Sequence, residues 1–207
     1  MKKTIPGARD PRTLAYYDRN AETFWERTRD HDVRQNIAAL LDAIEGSPPF
    51  ALLDLGCGPG RDLKTFRDLG HEAIGVEGAA ALAAMAREHS CCEVWEQDFL
   101  ALDLPPARFD GIFANAVLFH VPPPELPRVL SELHAALKPR GVLFSSIPHG
   151  NDIETTHPDG RYGAYHRPET WQRYMRDAGF TELAHFFRPE GKPREQQPWF
   201  ASVWRKA

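Results

Sequence analysis

Cysteine is scarce in this 207-residue chain, where Cys57, Cys91 and Cys92 are the only three. They supply no CxxC, and the adjacent pair does not easily close a strain-free bridge. Neither a disulfide framework nor a thiolate metal site is expected, and the thiols read as reduced. Basic residues are not in excess: 25 Lys and Arg stand against 29 Asp and Glu, a formal charge of −4. That balance argues against a dedicated nucleic-acid binder, whose affinity needs a basic surface. Long apolar runs are missing too, since even Ala79 to Ala86 falls far short of the ~20 residues that cross a bilayer. At the N-terminus Lys2 and Lys3 imitate the basic start of an export signal. Pro6, Gly7, Arg9 and Asp10 then occupy the positions of its apolar core. No membrane partner and a cytoplasmic address are therefore expected. The nine histidines are scattered, and none forms HExxH or another ligand pattern, so no metal is expected.

What is present is the composition of a globular protein, 42% hydrophobic and 26% charged, at a length that suits one domain. Leu14 to Glu45 reads as helical, with Val33, Ile37, Leu40, Leu41 and Ile44 at offsets of three and four, until Gly46 to Pro49 stop it. A short apolar run, Phe50 to Gly56, has the look of a strand buried on both faces. The alternation continues with a helix from Asp62 to Leu69, a strand from Glu72 to Glu77, a helix from Ala79 to His89, and strands at Cys92 to Gln97 and Phe109 to Ala114. Glu125 to Leu137 predicts an amphipathic helix, with Leu126, Val129, Leu130, Leu133 and Leu137 in one stripe. Gly141 to Ile147 is a further buried strand, and Pro148 to Tyr165 a polar loop too long to be a mere connector. A helix over Pro168 to Ala178 precedes two strands, Thr181 to Phe187 and Trp199 to Trp204, whose short connection favours an antiparallel pair. Alternating strands and helices imply an α/β, doubly wound and mostly parallel sheet, with ligands beyond the carboxyl ends of its strands.

The glycines after the first strand mark that place. In Asp54-Leu-Gly56-Cys57-Gly58-Pro-Gly60-Arg61-Asp62 the dinucleotide pattern GxGxxG fails in both registers, because Arg61 and Leu63 stand where glycines are required. What remains, acidic-x-Gly-x-Gly-x-Gly, resembles the first motif of class I S-adenosylmethionine-dependent methyltransferases. The resemblance runs over nearly the whole chain. It implies a Rossmann-like, mostly parallel seven-stranded sheet with an antiparallel C-terminal strand and an N-terminal helical cap. The organisation expected is a single domain: cap 1–48, cofactor-binding core 49–147, substrate loop and C-terminal strands 148–207.

The resemblance also implies roles. Glu77, with Gly78 beside it, matches the acid that accepts both ribose hydroxyls of S-adenosylmethionine. Asp98 matches the acid that receives the adenine amino group, with Phe99 over the ring. Phe109 to Ala116, including Asn115, looks like the fourth-strand motif under the reacting methionine portion. Arg61 suits the cofactor carboxylate, and Tyr17 is counted with the cofactor residues. Leu137-Lys-Pro-Arg140-Gly141 looks like the turn before the fifth strand, with Arg140 in place of a common glycine. Cys57 reads as a small packing residue within the loop.

Methyl transfer from a sulfonium is an in-line displacement, so the protein supplies alignment and a dry pocket rather than a conspicuous triad. Asn115 lacks the following Pro-Pro-aromatic of enzymes that methylate amino groups of nucleic acids, and with the acidic pI a small-molecule acceptor is expected. Candidate acceptor residues are Trp25, Arg29 and His31 in the N-terminal helices, His120 beyond the fourth strand, and Arg161, Tyr162, Tyr165 and His166 in the long loop. His120, His31 and Tyr165 are the catalytic candidates. Arg161 would clamp a carboxylate while Tyr165 and Trp25 sandwich a ring. The same aromatics suit an amphipathic helix packed on the sheet, and His120 suits a structural role, so both readings stand. The strings Trp25 to Asn36, Phe119-His120-Val121, Arg161 to His166 and Arg194 to Trp199 resemble the methyltransferase domain of ovothiol synthases, which methylates an imidazole nitrogen of 5-thiohistidine. That resemblance implies a separate sulfoxide synthase as functional partner. Another small-molecule N-, O- or S-methyltransferase, or a non-catalytic S-adenosylmethionine-binding module, remains open at this point.

Overall fold

The computed structural model describes residues 11–207; the first ten positions of the expected cap lie outside them. Three short helices open the chain, α1 (Pro11–Arg19), α2 (Ala21–Thr28) and α3 (Arg34–Leu41). They divide the region expected to be helical from Leu14 to Glu45. The divisions have local causes: the Asn20 side chain bonds back to the Tyr16 carbonyl, and the Asp32 carboxylate accepts the Arg34 amide where α3 begins. Such side chains offer the backbone partners that compete with a continuous helix.

The alternating core follows as β1 (Ala51–Leu55), α4 (Arg61–Asp68), β2 (Glu72–Glu77), α5 (Ala80–Ser90), β3 (Glu93–Glu96), β4 (Phe109–Asn115), α6 (Leu126–Ala136) and β5 (Leu137–Pro148). The segment expected as a long polar loop holds a small hairpin, β6 (Ile153–Thr156) and β7 (Tyr162–Tyr165), before α7 (Pro168–Asp177), β8 (Phe180–Arg188) and β9 (Trp199–Lys206). The seven-stranded sheet has the order β3-β2-β1-β4-β5-β9-β8, parallel throughout except that β9 runs antiparallel to β5 and β8. The expected architecture is the one observed. The expected turn is instead an irregularity within β5, where the pairing with β4 shifts register between Phe109 and Gly111 and Arg140 adopts φ +64°, the left-handed conformation that glycine takes without cost.

Period-two alternation decides the layers. Leu53 and Leu55 of β1 and Ile112 and Ala114 of β4 face a core built with the apolar stripe of α6 and Trp171 of α7. Leu52 and Phe113 point to the opposite face, against Leu40 of α3 and Phe66 of α4. Truncating any such fully buried Leu to Ala would cost about 2–5 kcal/mol. A buried polar chain ties α7 to β5 and β9: Trp171 Nε1 donates to Ser145 Oγ at 3.0 Å, Ser145 meets Ser202, and Trp204 Nε1 donates to Ser202 Oγ at 2.8 Å. Among the described residues no helix is long and apolar enough to cross a membrane.

Candidate active site

A cavity of about 1210 Å³ opens beyond the carboxyl ends of β1, β2 and β4, where the parallel order reverses and a ligand site is expected. Its floor is the glycine loop. Gly56 and Cys57 both donate to the Val76 carbonyl, at 2.7 and 3.0 Å, which bends the chain sharply out of β1. Gly56 has φ +68° and Gly60 φ +85°. A Cβ on Gly56 would lie 2.4 Å from Val117 Cγ2, and one on Gly60 2.9 Å from the Ala86 Cα. The loop therefore packs against its neighbours with no room for a side chain at either position.

Glu77 closes this floor. Its carboxylate is buried and accepts the Gly58 amide at 3.0 Å on one oxygen and the Ala79 amide at 2.8 Å on the other. Burial raises its pKa, opposed by those amide bonds. The Gly78 amide also bonds to it, and a carboxylate has about four acceptor positions, so capacity remains for a donor from the cavity that Glu77 lines. Asp98 and Phe99 line the same end, with Asp98 Oδ1 accepting the Leu100 amide at 2.9 Å. Asn115 lines the cavity from the end of β4 and accepts a bond from Asn36 Nδ2 at 2.9 Å.

The remaining expected cofactor residues divide. Gly56, Cys57, Gly58, Arg61 and Tyr17 border the cavity. Arg61 is engaged with the Asp62 carboxylate at 2.7 and 2.8 Å and with the Thr28 carbonyl. Cys57 is buried, and burial pushes its thiol well up, so it supplies no thiolate. Asp54, Gly60 and Gly78 are not on the wall. Asp54 is buried beneath the loop with Oδ2 unpartnered, its carboxyl held above the ordinary range by burial and then by Asp62. Gly60 and Gly78 instead let Ala86 and Leu14 approach the backbone.

On the opposite wall, α1, the turn after β4 and the hairpin converge. Tyr17 Oη lies 3.1 Å from His120 Nε2, His120 Nδ1 lies 2.6 Å from the Tyr162 carbonyl, and the Tyr162 amide donates to Thr13 Oγ1. A carbonyl only accepts, so Nδ1 carries the proton and Nε2 takes the Tyr17 hydroxyl. Burial lowers the His120 pKa to about 4, which leaves the ring neutral at pH 7. Burial raises the Tyr17 phenol, against a hydrogen bond and charge from Arg161. Tyr162 lines the cavity and donates its hydroxyl to Glu154 at 2.6 Å.

Several expected acceptor residues are placed elsewhere. His31 reaches the cavity rim, exposed. Trp25 packs on His89 of α5 with ring centroids 4.7 Å apart, because its helix turns that face toward α5. Arg29 is exposed and pairs with Asp30. Arg161 is bound to Asp159 at 2.8 Å and covers the Tyr16 ring at 4.6 Å, so its fork already holds a carboxylate. Tyr165 binds His157 at 2.7 Å, within the hairpin's own packing. His166 is buried near Trp171 and Tyr174. Trp25, Arg29, Arg161, Tyr165 and His166 do not border the cavity, whereas His31 does. Arg188, Glu154 and Ser146 do border it. None of the three lies in a motif, and the available signal was only their place at strand ends.

This arrangement of sheet order, glycine turn and strand-end acids defines the class I methyltransferases, an enzyme class whose methyl donor is S-adenosylmethionine. The family of methyltransferase domains matches residues 24–185, and the chain belongs to it. Trans-aconitate 2-methyltransferase of Azoarcus sp. (strain BH72) is 35% identical over 115 residues, 55% of this chain and 45% of that protein. An uncharacterised 37.1 kDa protein in transposon TN4556 of Streptomyces fradiae is 29% identical over 156 residues, 72% of this chain and 43% of that protein. The chain thus spans less than half the length of both. Burkholderia thailandensis 1,6-didemethyltoxoflavin-N1-methyltransferase, solved with its substrate and S-adenosylhomocysteine, superposes with a TM-score of 0.75 at 23% identity, over 99% of this chain and 93% of that one.

Proposed function

We propose that the chain transfers the methyl group of S-adenosylmethionine to a small-molecule acceptor. The observation that carries this reading is the Glu77 carboxylate, tied to the Gly58 amide and facing the cavity with acceptor capacity to spare. On this reading Glu77 receives the ribose hydroxyls, Asp98 the adenine amino group and Phe99 the ring face, while Gly58 lets the ligand approach the backbone. When bound, S-adenosylmethionine supplies a methyl group already activated on a sulfonium. The chain's residues then need only align the acceptor, exclude water and receive any proton it sheds.

For that last task the Tyr17–His120 pair is suited. The proton of His120 is committed to the Tyr162 carbonyl, so Nε2 is the basic atom and the Tyr17 hydroxyl connects it to the cavity. A His120 pKa near 4 makes it a weak base, so the pair passes a proton on toward water rather than holding it.

For the acceptor we propose an imidazole nitrogen of 5-thiohistidine, a reading supported by the ovothiol-synthase-like strings around Trp25 to Asn36, Phe119 to Val121 and Arg161 to His166. A separate sulfoxide synthase would then supply the thiolated substrate. The test is calorimetric binding of S-adenosylhomocysteine, followed by mass spectrometry and NMR of products from 5-thiohistidine. Glu77→Ala should weaken binding by about 2–3 kcal/mol, the loss of charged hydrogen bonds to two hydroxyls. Undiminished binding would remove the donor assignment. Methylation of other acceptors with no N-methylated thiohistidine would remove the acceptor alone.

A further inference from the structure

Where the end of β8 meets the start of α3, the cavity wall holds polar groups that the protein itself leaves unsatisfied. Arg188, the last residue of β8, borders the cavity. Among the described residues its hydrogen bonding is a single bond from Nη2 to the Asp32 carbonyl at 2.6 Å, and its buried Nε has no partner. Asn36, which lines the same cavity from α3, is 2% exposed and commits its Nδ2 to Asn115, leaving Oδ1 without a donor. Gln35 Oε1, also buried and on this wall, is likewise without one. Three buried, idle polar atoms, one guanidinium N–H and two amide oxygens, on residues that line one cavity are costly to leave unpartnered. They are complementary to a ligand that brings an anionic oxygen pair and hydrogen-bond donors together.

We propose that Arg188, Asn36 and Gln35 form the acceptor subsite, and that the acceptor is a small carboxylate bearing N–H or O–H donors. This rests on the methyltransferase reading of the same cavity and replaces Arg161, whose fork is held by Asp159, as the anion anchor. The rest of the wall favours one negative charge over two. Asp32 is neutralised by Arg34 and Asp62 by Arg61, whereas Glu77, Glu154 and Glu190 add negative charge to the lining and Arg12 one positive charge. A carboxylate fits that balance better than a phosphate dianion. Burial disfavours the Arg188 cation, opposed by Asp32 and Glu190, and an anion from the cavity would compensate for that.

The experiment is calorimetry on the full chain in two stages. S-adenosylhomocysteine is titrated first, into wild type, Arg188→Gln and Arg188→Lys. With the donor site saturated, 5-thiohistidine, histidine and 4-hydroxybenzoate are then titrated, each against its amide or ester analogue. At least one free acid should bind wild type about 30-fold or more tightly than its neutral analogue, the low end for a hydrogen-bonded charge pair. Arg188→Gln should abolish that preference and Arg188→Lys restore part of it, with S-adenosylhomocysteine affinity within about twofold of wild type in both. Equal binding of acid and analogue, no saturable binding by any of the acids, or a preference that survives Arg188→Gln would each overturn the proposal. So would selective loss of S-adenosylhomocysteine binding in folded Arg188→Gln, which would reassign the arginine to the donor's own carboxylate. Failure of wild type to bind S-adenosylhomocysteine would instead defeat the methyltransferase reading.

Discussion

The two walls of the cavity are held in place by different forces. The wall under β1 and β2 is made by backbone: the glycine turn hangs from the Val76 carbonyl, and Glu77 is fixed by the amides of Gly58 and Ala79. The wall formed by α1, α3, the hairpin and the end of β8 is made by side chains of distant segments, such as Tyr17 on His120 and Asn36 on Asn115. Backbone hydrogen bonds and a close-packed glycine leave few alternatives, whereas each side-chain link is worth only about 0.5–1.5 kcal/mol and is easily exchanged. One wall therefore suits a fixed shared ligand and the other a ligand that varies between relatives.

The sharpest way to break this contrast is Gly56→Ala. The added methyl meets Val117 at 2.4 Å on a backbone with φ +68°, so strain and overpacking together should cost about 4 kcal/mol of unfolding free energy. Chemical denaturation measures it. A loss below about 1 kcal/mol would mean that the loop yields as readily as the opposite wall.

His120 gives the next largest effect. Its pKa falls from the ordinary 6.5 to about 4 in the fold, so the unfolded chain binds the proton more readily. Stability is unaffected by this group above about pH 6.5 and is lost as the pH falls toward 4, by on the order of 3 kcal/mol. His120→Gln should lose less stability than wild type over that window, as comparison of denaturation midpoints at several pH values would show. Parallel pH profiles would contradict a neutral, buried ring.

A smaller change is expected for Asp98→Asn. The amide can still cap the Leu100 N–H, but it can turn a donor toward the adenine amine. S-adenosylhomocysteine binding should weaken by about 1–2 kcal/mol while thermal unfolding of the ligand-free protein stays nearly constant. A collapse of that stability would make Asp98 structural.

The smallest is Arg161→Ala. Both partners of the Arg161–Asp159 pair are about a third exposed, and such pairs contribute about 0–1 kcal/mol. Stability and the acceptor KM should hardly move. An increase in KM with intact S-adenosylhomocysteine binding would return Arg161 to the acceptor site and blur the distinction between the walls.

Much of the parallel half was legible from residue order. The apolar runs at Leu52 to Leu55 and Ile112 to Ala114, the glycines after Leu55, and the acids Glu77 and Asp98 each take their place from their own strand or strand end, so local pattern and spacing suffice. The connection from Pro148 to Tyr165 was less legible. Its hairpin pairs Ile153 with Tyr165 and Thr156 with Tyr162 without strong β periodicity, and packing against α1 helps select it. The breaks in the N-terminal helical region were obscured for a related reason, since the capping interactions of Asn20 and Asp32 are weak beside the apolar stripe of α3.

The sequence by itself determined the class of fold, the location of the glycine turn and the acids that border it, because these follow from alternation, backbone conformation and chain direction. Only the tertiary structure decided which ionisable side chains face the cavity. Arg161 and Arg188 are equivalent as letters, each an arginine near the end of a polar segment. One is paired within its own turn by Asp159, two residues away, while the other is carried by β8 to α3, more than 150 positions earlier in the chain. Whether a charge is already satisfied is set by its neighbours in space, and for Arg188 those neighbours exist only once the sheet has closed.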